Sequence, residues 1–175
     1  MFSRDEICGM STERSRFDDH DAFEPAEDGK EYALTTVAFP VRAVPDRETT
    51  VTVRVPTLAA ATADEIGEVV AEDWERTLGR RLEDAPGALP ARPDLEAFSV
   101  TRGGDHLEVT YRLSPGGPEI AKAIAEYVEG TYVETTIPGY EYEPPVADLL
   151  ASARMTGRDE PDARSGEEDG TVQSR

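Results

Sequence analysis

Thr50–Thr57 reads TVTVRVPT, and no other stretch narrows the choice of fold as far. Valine at 51, 53 and 55 points to one side of an extended chain, while Thr50, Thr52 and Arg54 point to the other. The segment therefore predicts a strand with one dry face and one polar face. The rest of the chain has to supply neighbours for its edges and a cover for its valines.

Two further blocks carry the same period. Between Glu31 and Pro45, Tyr32 and Leu34 share one parity and Val37, Phe39, Val41 and Ala43 the other, which implies a break near Thr35–Thr36. Pro40 lacks a ladder donor and places that stretch on a sheet edge, where it argues against pairing with another chain. Downstream, a two-residue turn at Gly103-Gly104 sets Val100 against Leu107 and Phe98 against Val109 on one face, with Arg102 against Asp105 and Thr101 against His106 on the other.

Helical spacing fills the gaps. Residues 11–24 align Phe17, His20 and Phe23 at i, i+3 and i+6, and Pro25 ends that helix before a turn at Glu27-Asp28-Gly29-Lys30. Thr62 and Glu65 form a capping-box pattern ahead of Ile66, Val69, Val70, Trp74, Leu78 and Leu82, which predicts an amphipathic helix over 62–83. Asp84–Pro93, with three prolines and a glycine, reads as a linker loop. Pro118 opens a helix to about residue 134 with Ile120, Ile124, Tyr127 and Val128 on its stripe. Ile137-Pro138-Gly139-Tyr140 has the residues of a type II turn, and Pro144-Pro145 starts a short last helix to about Arg154.

The fold class that follows is α+β. A single antiparallel sheet of about four to five strands, built from two hairpin regions, is covered on one face by helices, in the order α-β-β-β-α-β-β-α plus the short C-terminal helix. Residues 1–10 read as a disordered extension, 11–154 as one domain and 155–175 as a disordered acidic tail. The uncovered face would carry Thr50, Thr52, Arg54, Ser99, Thr101, His106, Glu108, Thr110 and Arg112.

Charge bounds the partners and the solvent. The chain has 37 acids against 18 bases, a net charge of −19, and 16 of the bases are arginine. A small domain stays soluble with a net charge of roughly 2–8, and more than that repels itself. Arginine is more weakly hydrated than lysine and pairs bidentately with carboxylates. At molar salt the screening length falls to about 3 Å and the repulsion fades. The expected medium is concentrated salt, with helicity lost below about molar ionic strength. The competing reading, an ordinary acidic protein with a disordered tail, would concentrate the acids, yet residues 30–154 hold 22 of them.

Several function classes find no support. The single cysteine, Cys8, excludes an intramolecular disulfide and a thiolate metal cluster. No apolar run reaches the roughly 18 residues of a membrane helix, and the start lacks the order of a signal peptide, so a cytoplasmic address without membrane contact is expected. Arg76, Arg80 and Arg81 around Trp74 are flanked by five acids, which disfavours nucleic acid. Asp18, Asp19, His20 and Asp21 diverge around a helix, so no metal site is expected, and no cofactor motif occurs. Nothing frames a nucleophile with a base, so no catalytic residue is assigned.

Tyr127–Pro145 holds four of the six tyrosines. Such residues suit a recognition surface, and they equally suit pinning a long loop onto the core. The candidate binding residues are Tyr132, Tyr140 and Tyr142 in that stretch and His106 and Arg112 on the polar sheet face.

DHDAFE at 19–24, TVRVPTL at 52–58 and VEGTYVETTIPGYEYEPPVADLLASA at 128–153 resemble a haloarchaeal family of unknown function, over roughly residues 16–153. That resemblance implies the domain limits and the salty medium and no activity. The element order is also similar to the fold of type III secretion chaperones, which bind other proteins; this is a fold-level analogy. Two functions stay open: a non-catalytic adaptor or chaperone-like module with an unknown protein partner, and a small enzyme or ligand-binding domain with a pocket near the outer sheet face and the tyrosine loop. The oligomeric state is left open.

Overall fold

In the computed structural model, residues 12–159 are described. The expectations for residues 1–10 and for the tail from 160 onward lie outside them. Helix α1 covers residues 12–18. It is followed by strands β1 (Phe23–Pro25), β2 (Tyr32–Leu34), β3 (Val41–Val44) and β4 (Thr49–Pro56), then helices α2 (Leu58–Ala61), α3 (Glu68–Glu83) and α4 (Ala85–Ala88). The hairpin β5 (Asp94–Gly103) and β6 (His106–Ser114) and helices α5 (Pro118–Thr135) and α6 (Val146–Asp159) complete the order.

One open sheet of six strands, more than the four to five expected, runs β1-β2-β3-β4-β6-β5 with every neighbour antiparallel. The valine strand lies inside it, between β3 and β6. Val51, Val53 and Val55 are completely buried, as are Val109, Tyr111 and Leu113 of β6 on the same face. Trp74, Leu78 and Leu82 of α3 and Ala121, Ile124, Val128 and Tyr132 of α5 join them in one apolar core. The helix from Pro118, the break after Leu34 and the turn with Gly139 at φ +99° follow the sequence pattern.

The departures have local causes. The expected helix over 11–24 stops at residue 18 because Phe23–Pro25 pairs with β2, with Phe23 opposite Leu34. Phe17 and Phe23 still meet edge to face at 5.0 Å, so the helical spacing marked the right core residues and the wrong backbone. Pro40 is not on an edge. It precedes β3, which is flanked on both sides, and its carbonyl accepts from Arg54 N at 2.9 Å while the missing N–H falls outside the ladder.

The capping box at Thr62 does not form either. Thr57 caps α2 through Ala60 N (3.2 Å), and Thr62 bridges to Tyr142 in extended chain. Ala63 N donates to Glu141 O and Glu143 N to Ala61 O. This pairing delays α3 to Glu68 and leaves Val69 and Val70 exposed instead of inside. The stretch expected as a plain linker, 84–93, folds into the turn of α4 and buries Ala85, Pro86 and Leu89. The β5–β6 turn is Gly104-Asp105, one residue later than expected, so Val100 faces Val109 and Phe98 faces Tyr111. The register moves by two, which keeps Phe98 and Val100 on the apolar face and Thr101 on the polar one, whereas Arg102, expected on the polar face, shares the parity of Val100 and lies opposite Leu107 on the helix side. Finally, α6 runs to Asp159, past the expected end at Arg154.

Candidate interaction surface

Because the helices cover one side only, alternate residues of the central strands look outward. Register fixes which they are: Arg42 lies opposite Thr52, Thr52 opposite Thr110, Arg54 opposite Glu108, and Thr50 opposite Arg112. Ser99, Thr101 and Gly103 continue the rows on β5.

Three arginines on this face each meet a glutamate. Arg54 Nη2 reaches Glu108 Oε1 at 2.8 Å, Arg42 Nη1 reaches Glu31 Oε2 at 3.3 Å, and Arg112 Nε reaches Glu48 Oε2 at 3.2 Å. Between them the hydroxyls of Thr52 and Thr110 lie 3.3 Å apart. The pairing makes a locally neutral band on a molecule of net charge −19. Two shallow hollows indent it, one of about 240 Å³ bounded by Arg42, Thr52, Arg54 and Glu108, the other of about 310 Å³ bounded by Thr50, Ser99, Thr110 and Arg112.

The hydrogen bond from Arg54 holds the Glu108 carboxyl below its ordinary range, desolvation opposes it, and the charges of Arg54, His106 and Arg42 assist. A depressed carboxylate stabilises the fold above its unfolded pKa and loses that contribution only as pH falls through the folded value. The Arg54–Glu108 pair is therefore intact at neutral pH.

Of the expected site residues, His106 and Arg112 lie on this face. His106 Nε2 is 4.0 Å from Glu108 Oε1, and Arg112 is exposed. Tyr132, expected at a binding surface, is instead completely buried on the helix side. Its ring meets Phe39 at 5.0 Å and Trp74 at 5.4 Å, and its hydroxyl donates to Pro56 O at 3.0 Å. The Tyr142 hydroxyl accepts from Ile137 N (2.7 Å) and donates to Ile137 O (3.2 Å), closing the turn that carries half-buried Tyr140. Tyr127 donates to Arg81 O. The sheet thus separates Tyr132 from His106 and Arg112.

Arg42, Glu31 and Glu48 were missed as members of the face. Arg42 had a signal, since Val41 and Ala43 point inward and leave it outward; the two glutamates reach in from loops and had none. A groove of about 420 Å³ between Val69, Val70, Trp74, Thr135 and Ile137 was also missed, because both valines were expected inside.

Among the described residues no group of three His, Cys, Asp or Glu side chains converges as metal ligands. Asp18 and His20 have local partners, the Tyr32 hydroxyl on Asp18 Oδ1 (2.7 Å) and Ala22 N on His20 Nδ1 (3.2 Å). No described helix is long and apolar enough to cross a membrane.

A family described as of unknown function, DUF5813, matches residues 18–152, more than half of the chain. The chain belongs to the DUF5813 family. The DUF5813 match contains all six strands, so the open sheet face lies wholly within the family domain. Nothing among curated proteins and nothing among solved structures matches the chain.

Proposed function

We propose that this DUF5813 domain is a non-catalytic protein-interaction module, adaptor or chaperone-like, and that its working surface is the uncovered face of the sheet. One observation carries the reading: a six-stranded sheet is buried on one side and presents on the other a neutral band of threonines and arginine–glutamate pairs. Like charge is the main obstacle to docking on a strongly acidic molecule, and it is smallest where carboxylates are already paired. Thr50, Thr52 and Thr110 are half-buried and β-branched, so they present a stiff surface with little rotamer entropy left to lose. The hollows are shallow, and the residues proposed for a small-molecule pocket lie on opposite sides of the sheet.

We also propose a saline, cytoplasmic setting. The acid surplus and the arginine bias support it, and so do the ion pairs that Arg16, Arg42, Arg54, Arg76, Arg102 and Arg112 each make with a carboxylate.

Affinity purification of the full chain from its native cells, at their ionic strength, tests the surface. A stoichiometric protein partner is expected. It should be lost when Arg42→Glu and Arg112→Glu are combined and retained by Tyr140→Ala. Both arginines are exposed, so the double variant should fold. Loss with Tyr140→Ala and retention by the arginine variant would move the surface to the tyrosine loop; bait recovered alone would sink the interaction reading.

A further inference from the structure

The two ends of the sheet are unlike. At one end β1 is three residues long and closes on Pro25, which has no N–H to offer. At the other end β5 runs for ten residues, and among the described residues β6 alone pairs with it. Gly103 and His106 flank the two-residue turn, so Gly103, Thr101 and Ser99 are the positions that exchange hydrogen bonds with β6. Phe98, Val100 and Arg102 alternate with them and turn their backbone N–H and C=O toward the free edge.

Natural edge strands are usually blunted by bulges, charges, proline or short length. On β5 these devices sit in the first third: Asp94, Glu96 and the register shift between Leu95 and Ala97. From Ala97 to Gly103 there is no proline, lysine or acid, and the only charge is Arg102. In a chain of net charge −19, this stretch is a place where a second copy meets no carboxylate from the strand itself. Val100 is 37% exposed there, among the most exposed large apolar side chains.

We propose that the β5 edge is a self-association surface, on which two copies of this chain pair their β5 strands antiparallel about a twofold axis at Val100. Beyond the irregularity at Leu95/Ala97, the positions that turn their backbone groups to this edge are Phe98, Val100 and Arg102, which limits the register. An axis at Val100 sets Phe98 opposite Arg102 of the second copy, and Ser99 opposite Thr101. The guanidinium then lies beside an aromatic ring, and the hydroxyl-bearing residues face each other. Arg102 is held on the helix side of the edge by Glu75 (3.5 Å), the same side to which Phe98 and Val100 point. An axis moved toward Phe98 brings the irregularity at Glu96 into the ladder. One moved toward Arg102 runs off the strand at Gly103 and sets the arginines together. The interface is isologous and closes at two copies.

This surface is separate from the open face proposed above, so either can fail without the other. Analytical ultracentrifugation of the full chain, from micromolar to millimolar and from dilute to molar KCl, should show a dimer of the 19.1 kDa chain whose population rises with salt as the mutual repulsion is screened. Val100→Pro removes an N–H that β6 does not use. It should weaken the dimer at least about tenfold while circular dichroism stays native. In a Cys8→Ser background, Val100→Cys should cross-link under mild oxidation, since directly paired Cα atoms lie about 5.5 Å apart, within disulfide reach. Thr101→Cys, offset from its own mate, should not. A monomer at every salt and concentration, a dimer indifferent to Val100→Pro, or equal cross-linking of the two cysteine variants would overturn the proposal. A monomeric chain whose β5 instead pairs with an extended segment of another protein counts among the overturning results.

Discussion

Tyr132→Ala is expected to lose about 3–5 kcal/mol of folding stability, the range for truncating a large buried aromatic side chain. For a chain of this length that lowers Tm by roughly 6–20 °C. The ring stands at the junction of α5 with the sheet, between Phe39 and Trp74, and has no exposed surface. Trp74 is itself tied to the end of α5 by its Nε1–H on Thr135 O at 3.1 Å, so a cavity here loosens two helices at once. Tyr132→Phe isolates the polar part: the Pro56 carbonyl loses its donor, at about 1–3 kcal/mol. Burial pushes the phenol well above its ordinary pKa. A raised pKa contributes stability below the unfolded value that is lost only as pH rises through the folded one, so neither effect should vary with pH near neutrality. Urea denaturation of the three proteins measures all of this. A Tyr132→Ala variant as stable as the parent would mean that the residue is not in the core.

Gly116→Ala is expected to be comparably damaging, at about 3 kcal/mol or more, although it adds one methyl group in a turn. A Cβ there would lie 1.9 Å from Thr49 Oγ1, 2.5 Å from its Cβ and 2.9 Å from its backbone nitrogen. The last of these contacts cannot be relieved by a rotamer change. Thr49 is completely buried at the start of β4, and its hydroxyl accepts from Gly117 N at 2.9 Å, where α5 begins. The extra carbon forces the central strand and the main covering helix apart. Gly130→Ala, inside α5 with nothing within 4 Å of its Cβ, is the control and should gain up to about 1 kcal/mol. Denaturation midpoints of opposite displacement for the two variants are the expected result.

Those contacts also show where sequence reasoning reaches and where it stops. Strand β4, the buried face of β6 and helix α5 were legible because each rests on a period that repeats within its own segment. The β5–β6 register was legible only to parity, since a shift of two residues keeps every side chain on its face and burial gives no means of choosing. Helix α3 starts late because residues 61–63 pair with residues about 80 positions away, and no local pattern announces such a partner. Strand β1 was hidden for the opposite reason: Phe17 and Phe23 do share a core position, and a helix was the simplest backbone that could bring them together.

The open face was legible in outline because outwardness follows from alternation once the valines are inside. Its electrostatic character was not, since pairing Arg42 with Glu31 and Arg112 with Glu48 depends on which strands are neighbours and how the loops return. The tyrosines were visible as a cluster in composition only. Their directions come from α5 and from the Tyr142–Ile137 closure, which send Tyr132 into the core and leave Tyr140 on the turn.

That the chain works through the bare side of its sheet is tested most directly by placing a photo-reactive phenylalanine analogue at Arg42 or Arg112 in living cells, with Glu126 on α5 and Tyr140 as comparison sites. Adducts to one discrete protein at the two sheet positions, with none at Glu126 or Tyr140, are predicted. The same protein captured from α5 or the turn, with the sheet positions silent, would contradict the account.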